Sequence, residues 1–233
     1  MGAGQTHPGG PVFIGHFALG FAAKRIAPRT SLGTLLAAPE LADIIFPVAV
    51  LLGWEKVSFA GGSDPFLSIT LDNYPISHSL LALVVWGALW ALLYRWRTGY
   101  GRGAVVVAAL VVSHWVLDFV THRPDMPLWP GGPKLGLELW ASLPGTIVVE
   151  GLLYVAGVAI YARATRAKDA IGRYGLWGLA ALLALLYVAS LFSGKPPSIK
   201  AFAVVGLVIE VLVVALGVWV DRHREAAGAR AAA

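Results

Sequence analysis

The stretch from Ser113 to Asp125 reads Ser-His-Trp-Val-Leu-Asp-Phe-Val-Thr-His-Arg-Pro-Asp. On a helix, His114, Asp118 and His122 fall at i, i+4 and i+8 and project from one face. Two imidazoles and a carboxylate so arranged are metal-ligand chemistry. The same groups are costly in a helix that faces lipid. The chain has no cysteine, so disulfides and thiolate metal sites are excluded and any ligand set is built from nitrogen and oxygen. Partners for this face must come from elsewhere. The candidates are His16, the acids Glu40 and Asp43, and His78.

The elements that must position these groups are membrane helices. Of 233 residues, 58% are hydrophobic and only 13% charged, with a mean hydropathy of +0.72. Soluble domains are about one-quarter charged. The apolar segments are long and continuous rather than alternating, which predicts an all-α, polytopic transmembrane helical bundle. The formal charge of +5 belongs to cytoplasmic loops, and no nucleic-acid partner is expected. There is no convincing internal repeat.

About seven spans are expected, near residues 11–27, 34–53, 77–94, 103–122, 144–161, 174–192 and 200–220. The first lacks the basic-then-apolar order of a cleaved signal peptide, since Lys24 and Arg25 follow its apolar run. The second holds Pro39, Glu40, Asp43 and Pro47 and should be broken and face protein. Ser77, after Pro75, reads as the N-cap of the third. Residues 1–10 read as a disordered tail, 11–128 as the membrane domain with the His/Asp site, 129–163 as an outer loop with the fifth span, and 164–233 as C-terminal helices that supply no ligand. Within that last part, Gly172, Gly175 and Gly178 offer a small-residue face for close helix contact.

Basic residues set the orientation. With the N-terminus outside and the C-terminus inside, inner segments carry thirteen Lys and Arg and outer segments five. His16, Asp43, His78, His114, Asp118 and Glu150 then all fall within about 15 Å of the outer surface. Orientation rests on Lys and Arg alone, so this convergence is partly independent support for one site. Roles for His122, Asp125, Glu150 and Glu210 stay open.

Gly15-His16, Pro39-Glu40-Leu41-Ala42-Asp43, Ser77-His78-Ser79-Leu80 and Ser113-His114-Trp115-Val116-Leu117-Asp118 together resemble the bacterial membrane-bound metal-dependent hydrolases. That pattern is an early His, Pro-Asp-x-Asp, Thr-His-Ser-Leu and Ser-His-x-x-x-Asp. The likeness spans about residues 14–127 and implies distant similarity to zinc-dependent phospholipase C-like enzymes. It implies His16, His78, His114 and Asp118 as metal ligands, with one acid from the second span. There the chain departs from the pattern. Glu40 follows Pro39, and Asp43 comes at i+3, so either can ligate while the other supports the ligands or serves as a base.

The expected protein is therefore a multi-pass inner-membrane hydrolase of an ester or phosphoester, its site open to the outer leaflet. A divalent metal, best Zn²⁺, suits His and carboxylate ligands, and Mn²⁺ or Fe²⁺ also fit. Asp43 or Glu40 would take the proton and Arg123 would hold an anionic headgroup of a membrane lipid or lipid-linked substrate. A homo-oligomer is compatible with the sequence. Two rivals stand beside this: an ion- or proton-coupled transporter, and a non-catalytic membrane protein with a structural metal. Against the transporter, the inner half is nearly empty of polar groups apart from Glu210.

Overall fold

The computed structural model describes residues 14–59, 69–192 and 196–227. The tail expected at residues 1–10 lies outside them. The chain runs α1 (Ile14–Ala23), α2 (Leu32–Ala37), α3 (Leu41–Leu51), β1 (Lys56–Phe59), β2 (Ile69–Asn73), α4 (Pro75–His78), α5 (Leu80–Thr98) and α6 (Gly101–Thr121). It continues through β3 (Met126–Pro127), β4 (Lys134–Leu135), α7 (Leu143–Ala164), β5 (Thr165–Ala167), α8 (Ala170–Phe192), α9 (Ile199–Arg222) and β6 (Arg224–Ala226). Three antiparallel pairs, β1–β2, β3–β4 and β5–β6, decorate the helices. The first of them lies between the second and third expected spans.

Among the described residues five helices, α5 to α9, are long and apolar enough to cross a membrane. Their outward residues suit lipid: Leu92, Leu152 and Leu185 are each about two-thirds exposed. The expected first and second spans take another form. At about 1.5 Å per residue, the ten-residue α1 is roughly 15 Å long, half of a bilayer core of about 30 Å. The second is split by a turn at residues 38–40 into α2 and α3. Pro39 sits in that turn, where no helical N–H is required of it, whereas Pro47 is accommodated inside α3.

Serine hydroxyls start four helices by accepting the N–H three residues on: Ser31 from Thr34, Ser79 from Ala82, Ser142 from Gly145 and Ser198 from Ala201. The cap of the third expected span is thus Ser79. Ser77 lies inside the short α4, because the extended backbone of Ser79 separates α4 from α5. Gly99, at φ 66°, ends α5 in the left-handed region.

α5 and α6 form an antiparallel hairpin, α1 packs on α7, and α2 and α3 pack on α9. Close approach needs glycine at two of these crossings. A Cβ on Gly157 of α7 would strike the Ala18 carbonyl of α1, and one on Gly217 of α9 would come within 2.9 Å of Leu36 Cδ1. Gly172 and Gly175 do abut the end of α9, while Gly178 faces open space. Two apolar cores result. One gathers Phe17, Phe21, Leu32, Tyr161 and Leu183; the other gathers Leu35, Leu83, Val107, Val111 and Trp115.

One polar knot ties the bundle far from the His/Asp face. Lys24, counted in the sequence as a loop cation, is buried. Its Nζ donates to Asp221 Oδ2 at 2.7 Å and to the Thr30 carbonyl at 2.8 Å. Tyr161 donates to Asp221 Oδ1 at 2.7 Å, and the Leu32 N–H to Oδ2 at 3.1 Å. One carboxylate so links α1, α2, α7 and α9.

Candidate metal centre

The break after Ala37 and the α4–α5 break determine where the polar groups meet. His16 occupies the first turn of α1, and Asp43 the first turn of α3. His78 is the last residue of α4. His114 and Asp118 lie in the last two turns of α6, one turn apart, and His122 caps that helix. Each of these is a helix end, where irregular backbone supplies extra hydrogen-bond partners.

Asp118 is the hub. Its Oδ2 lies 3.1 Å from His114 Nε2, 3.9 Å from His122 Nε2 and 4.0 Å from His78 Nε2; Oδ1 lies 3.4 Å from His16 Nε2. Asp43 Oδ1 stands 3.3 Å from His78 Nε2. Among the described residues two overlapping groups have ligand atoms within 4.8 Å of one another: His16, His114 and Asp118, and Asp43, His78 and His114. All but Asp43 are buried. Ligands about 2.1 Å from a tetrahedral ion stand about 3.4 Å apart. The separations of 3.1 to 3.4 Å match that shell.

In His78, His114 and His122 the Nδ1 atom is engaged elsewhere, which leaves Nε2 facing the carboxylates. His114 Nδ1 donates to the Pro39 carbonyl at 2.6 Å, and a carbonyl can only accept. His122 Nδ1 donates to Asp125 Oδ1 at 3.0 Å. His78 Nδ1 meets Ser77 Oγ at 2.6 Å. A neutral imidazole with its proton on Nδ1 keeps a lone pair on Nε2. His114 Nε2 makes no hydrogen bond among the described residues although it faces a carboxylate. A lone pair aimed at an anion in a buried place is unfavourable unless a proton or a cation lies between them. The donor set therefore fits a divalent metal.

The remaining candidates lie around this centre. Glu40, in the turn before α3, is 1% exposed, outside both ligand groups, and neither carboxyl oxygen has a hydrogen-bond partner among the described residues. It lies within electrostatic reach of Glu210, Asp43, Asp118 and Glu150. Of the two acids the sequence left open, Asp43 is the one beside the imidazoles. Arg123 is half-exposed and its Nε donates to Asp125 Oδ2 at 3.0 Å. Burial pushes the Asp125 carboxyl up, but the hydrogen bonds from His122 and Arg123 outweigh it and hold the group below the usual carboxylate range.

Two contributors had no signal in the sequence. Glu55, buried in the turn before β1, accepts three hydrogen bonds from the start of α4. Tyr74 donates its hydroxyl to the Asp125 carbonyl and packs its ring edge against His78. A loop glutamate and a loop tyrosine beside an apolar span are ordinary, so only the fold marks them.

A model of the YdjM inner membrane protein family matches residues 12–197, from before His16 to beyond the end of α8. No curated protein and no solved structure matches the chain. The matched range takes in His16, Asp43, His78, His114, Asp118 and His122, and the described residues include five helices fit to cross a bilayer. The chain belongs to the YdjM inner membrane protein family and is a multi-pass protein of the inner membrane.

Proposed function

We propose that this protein is a metal-dependent hydrolase of an ester or phosphoester carried by a membrane lipid or lipid-linked molecule. The observation that carries this is the Asp118 carboxylate with four imidazole Nε2 atoms within 4.0 Å of it. His16, Asp43, His78, His114 and Asp118 would hold the ion, with Zn²⁺ the best match to their nitrogen and oxygen atoms. When bound, the ion supplies Lewis acidity, polarising the substrate oxygen and acidifying a water. Glu40 has no hydrogen-bond partner to lose among the described residues and is suited to accept a proton; Asp43 is the alternative base. Arg123, anchored to Asp125 and half-exposed, offers its fork to an anionic headgroup.

The proposed topology has seven crossings with the N-terminus outside and the C-terminus inside. It treats α1 and the broken α2–α3 pair as spans and rests on the loop Lys and Arg. It puts the start of α1 and the ends of α3 and α6 toward the outer surface, with Asp43 about 15 Å below it. Reporter fusions at the C-terminus and within residues 123–143 should fall on opposite sides. The same side for both would refute the topology.

The hydrolase itself is tested on protein purified in detergent, by elemental analysis and by chromogenic phosphodiester and carboxylic ester substrates. Bound metal with hydrolysis that vanishes in Asp118→Ala supports the reading. Absence of metal defeats it. Metal without hydrolysis of any ester class leaves a structural ion. A proton-coupled transporter is the second reading, favoured by Glu40 lying near Glu210 in the interior. Proton flux into proteoliposomes, abolished by Glu210→Gln, would select it.

A further inference from the structure

Glu55 is 2% exposed and lies where α3 gives way to β1. Its Oε1 accepts the N–H of Ile76 at 2.7 Å and of Ser77 at 2.9 Å. Its Oε2 accepts the Ser77 hydroxyl at 2.7 Å. A serine hydroxyl has one proton to give. Having given it to Glu55, Ser77 Oγ can only accept in its 2.6 Å contact with His78 Nδ1. A ring proton of His78 is therefore on Nδ1, and in the neutral imidazole the Nε2 lone pair faces Asp43 Oδ1, 3.3 Å away.

We propose that Glu55, acting through Ser77, is a positioning residue that holds His78 in the tautomer able to bind a divalent cation. This rests on the metal reading above. A merely structural Glu55 would need only its Oε1, which caps the start of α4. The bond through Oε2 adds direction to the relay, and direction requires an acceptor at that atom. Ligand histidines are commonly oriented this way through the nitrogen that does not bind the metal.

The isosteric change Glu55→Gln separates the two roles. The amide oxygen keeps the two backbone bonds, and the amide N–H replaces Oε2. That N–H donates to Ser77 Oγ, so Ser77 donates to His78 Nδ1 and the ring proton moves to Nε2. The relay survives with its direction reversed, and an N–H then points where a ligand lone pair is needed. Ser77→Ala removes the relay, while Ser77→Thr retains a hydroxyl.

The test uses the full chain in detergent micelles with Co²⁺ as probe. Long-range ¹H–¹⁵N spectra of the metal-free, ¹⁵N-histidine-labelled protein report the tautomer. Glu55→Gln and Ser77→Ala should each weaken Co²⁺ binding about 10- to 100-fold, the usual cost of losing such a partner. Ser77→Thr should bind as wild type does. His78 should carry its proton on Nδ1 in wild type and on Nε2 in Glu55→Gln. Wild-type Co²⁺ affinity in Glu55→Gln, or a proton still on Nδ1 there, overturns this assignment alone. No Co²⁺ uptake by the wild type overturns the metal reading and this assignment together. Should Glu55→Gln not fold, the contrast between Ser77→Ala and Ser77→Thr decides, because neither alters the two backbone bonds; equal Co²⁺ affinity in that pair overturns the assignment.

Discussion

His114 Nε2 lies 3.1 Å from Asp118 Oδ2, one turn away along α6, while its Nδ1 donates to the Pro39 carbonyl at 2.6 Å. The imidazole is thus locked between a backbone carbonyl of one helix pair and a carboxylate of another. Its ring orientation and the proton on Nδ1 are settled before any ligand arrives.

From that lock, His114→Ala or Asp118→Ala should abolish binding of a divalent ion, and His223→Ala should leave it intact. Binding stabilises by mass action, by about 2.7 kcal/mol at an ion concentration a hundred times Kd. A chelator should therefore lower the melting temperature of wild type and of His223→Ala, and leave that of His114→Ala unmoved. Equal metal content in all three proteins would contradict this.

Lys24→Ala should be among the most destabilising changes in the bundle. It leaves the partly buried Asp221 with Tyr161 and Leu32 as partners but without its cation. Breaking a buried pair from one side costs about 3–5 kcal/mol. Asp221→Asn in the Lys24→Met background should recover part of the loss in a thermal melt. Additive losses would show that the two groups act separately.

Gly157→Val should lower the melting temperature by forcing α7 away from the Ala18 carbonyl of α1. Overpacking of this kind costs about 1–3 kcal/mol. Gly178→Val, on an open face of α8, is the control and should be close to neutral. Because His16 rides on α1, the Gly157 variant should also bind metal more weakly.

Asp169 accepts from His223 Nδ1 at 2.7 Å and from the Gly172 N–H at 2.8 Å, joining the start of α8 to the end of α9. The hydrogen bond from His223 holds its carboxyl below the usual carboxylate range. A depressed folded value means the stabilisation is complete above the unfolded value, about 4, and is lost as pH falls from there through the folded one. The melting-temperature gap between wild type and Asp169→Asn should be present at pH 7 and shrink as pH drops below about 4. A gap independent of pH would mean that the carboxylate charge plays no part.

Membrane residence and helical architecture follow from composition alone, because lipid tolerates only long runs whose backbone bonds are satisfied locally. The spacing of His114, Asp118 and His122 is likewise local, since helix geometry alone puts i and i+4 on one face. Other features depended on long-range packing. Residues 11–27 and 34–53 are apolar enough to read as two spans, yet they form the short α1 and the divided α2–α3, a division only packing against α6, α7 and α9 reveals. Asp43 rather than Glu40 lies beside the imidazoles because the turn at residues 38–40 sets which face of α3 meets α6. Lys24 looked like a loop cation until α9 brought Asp221 to it, across nearly two hundred residues of chain. Glu55 carries no periodicity and no motif; its importance arises only when α4 folds back and presents Ser77 to it. Local spacing determines which groups share a helix face, and tertiary contact alone decides which faces meet.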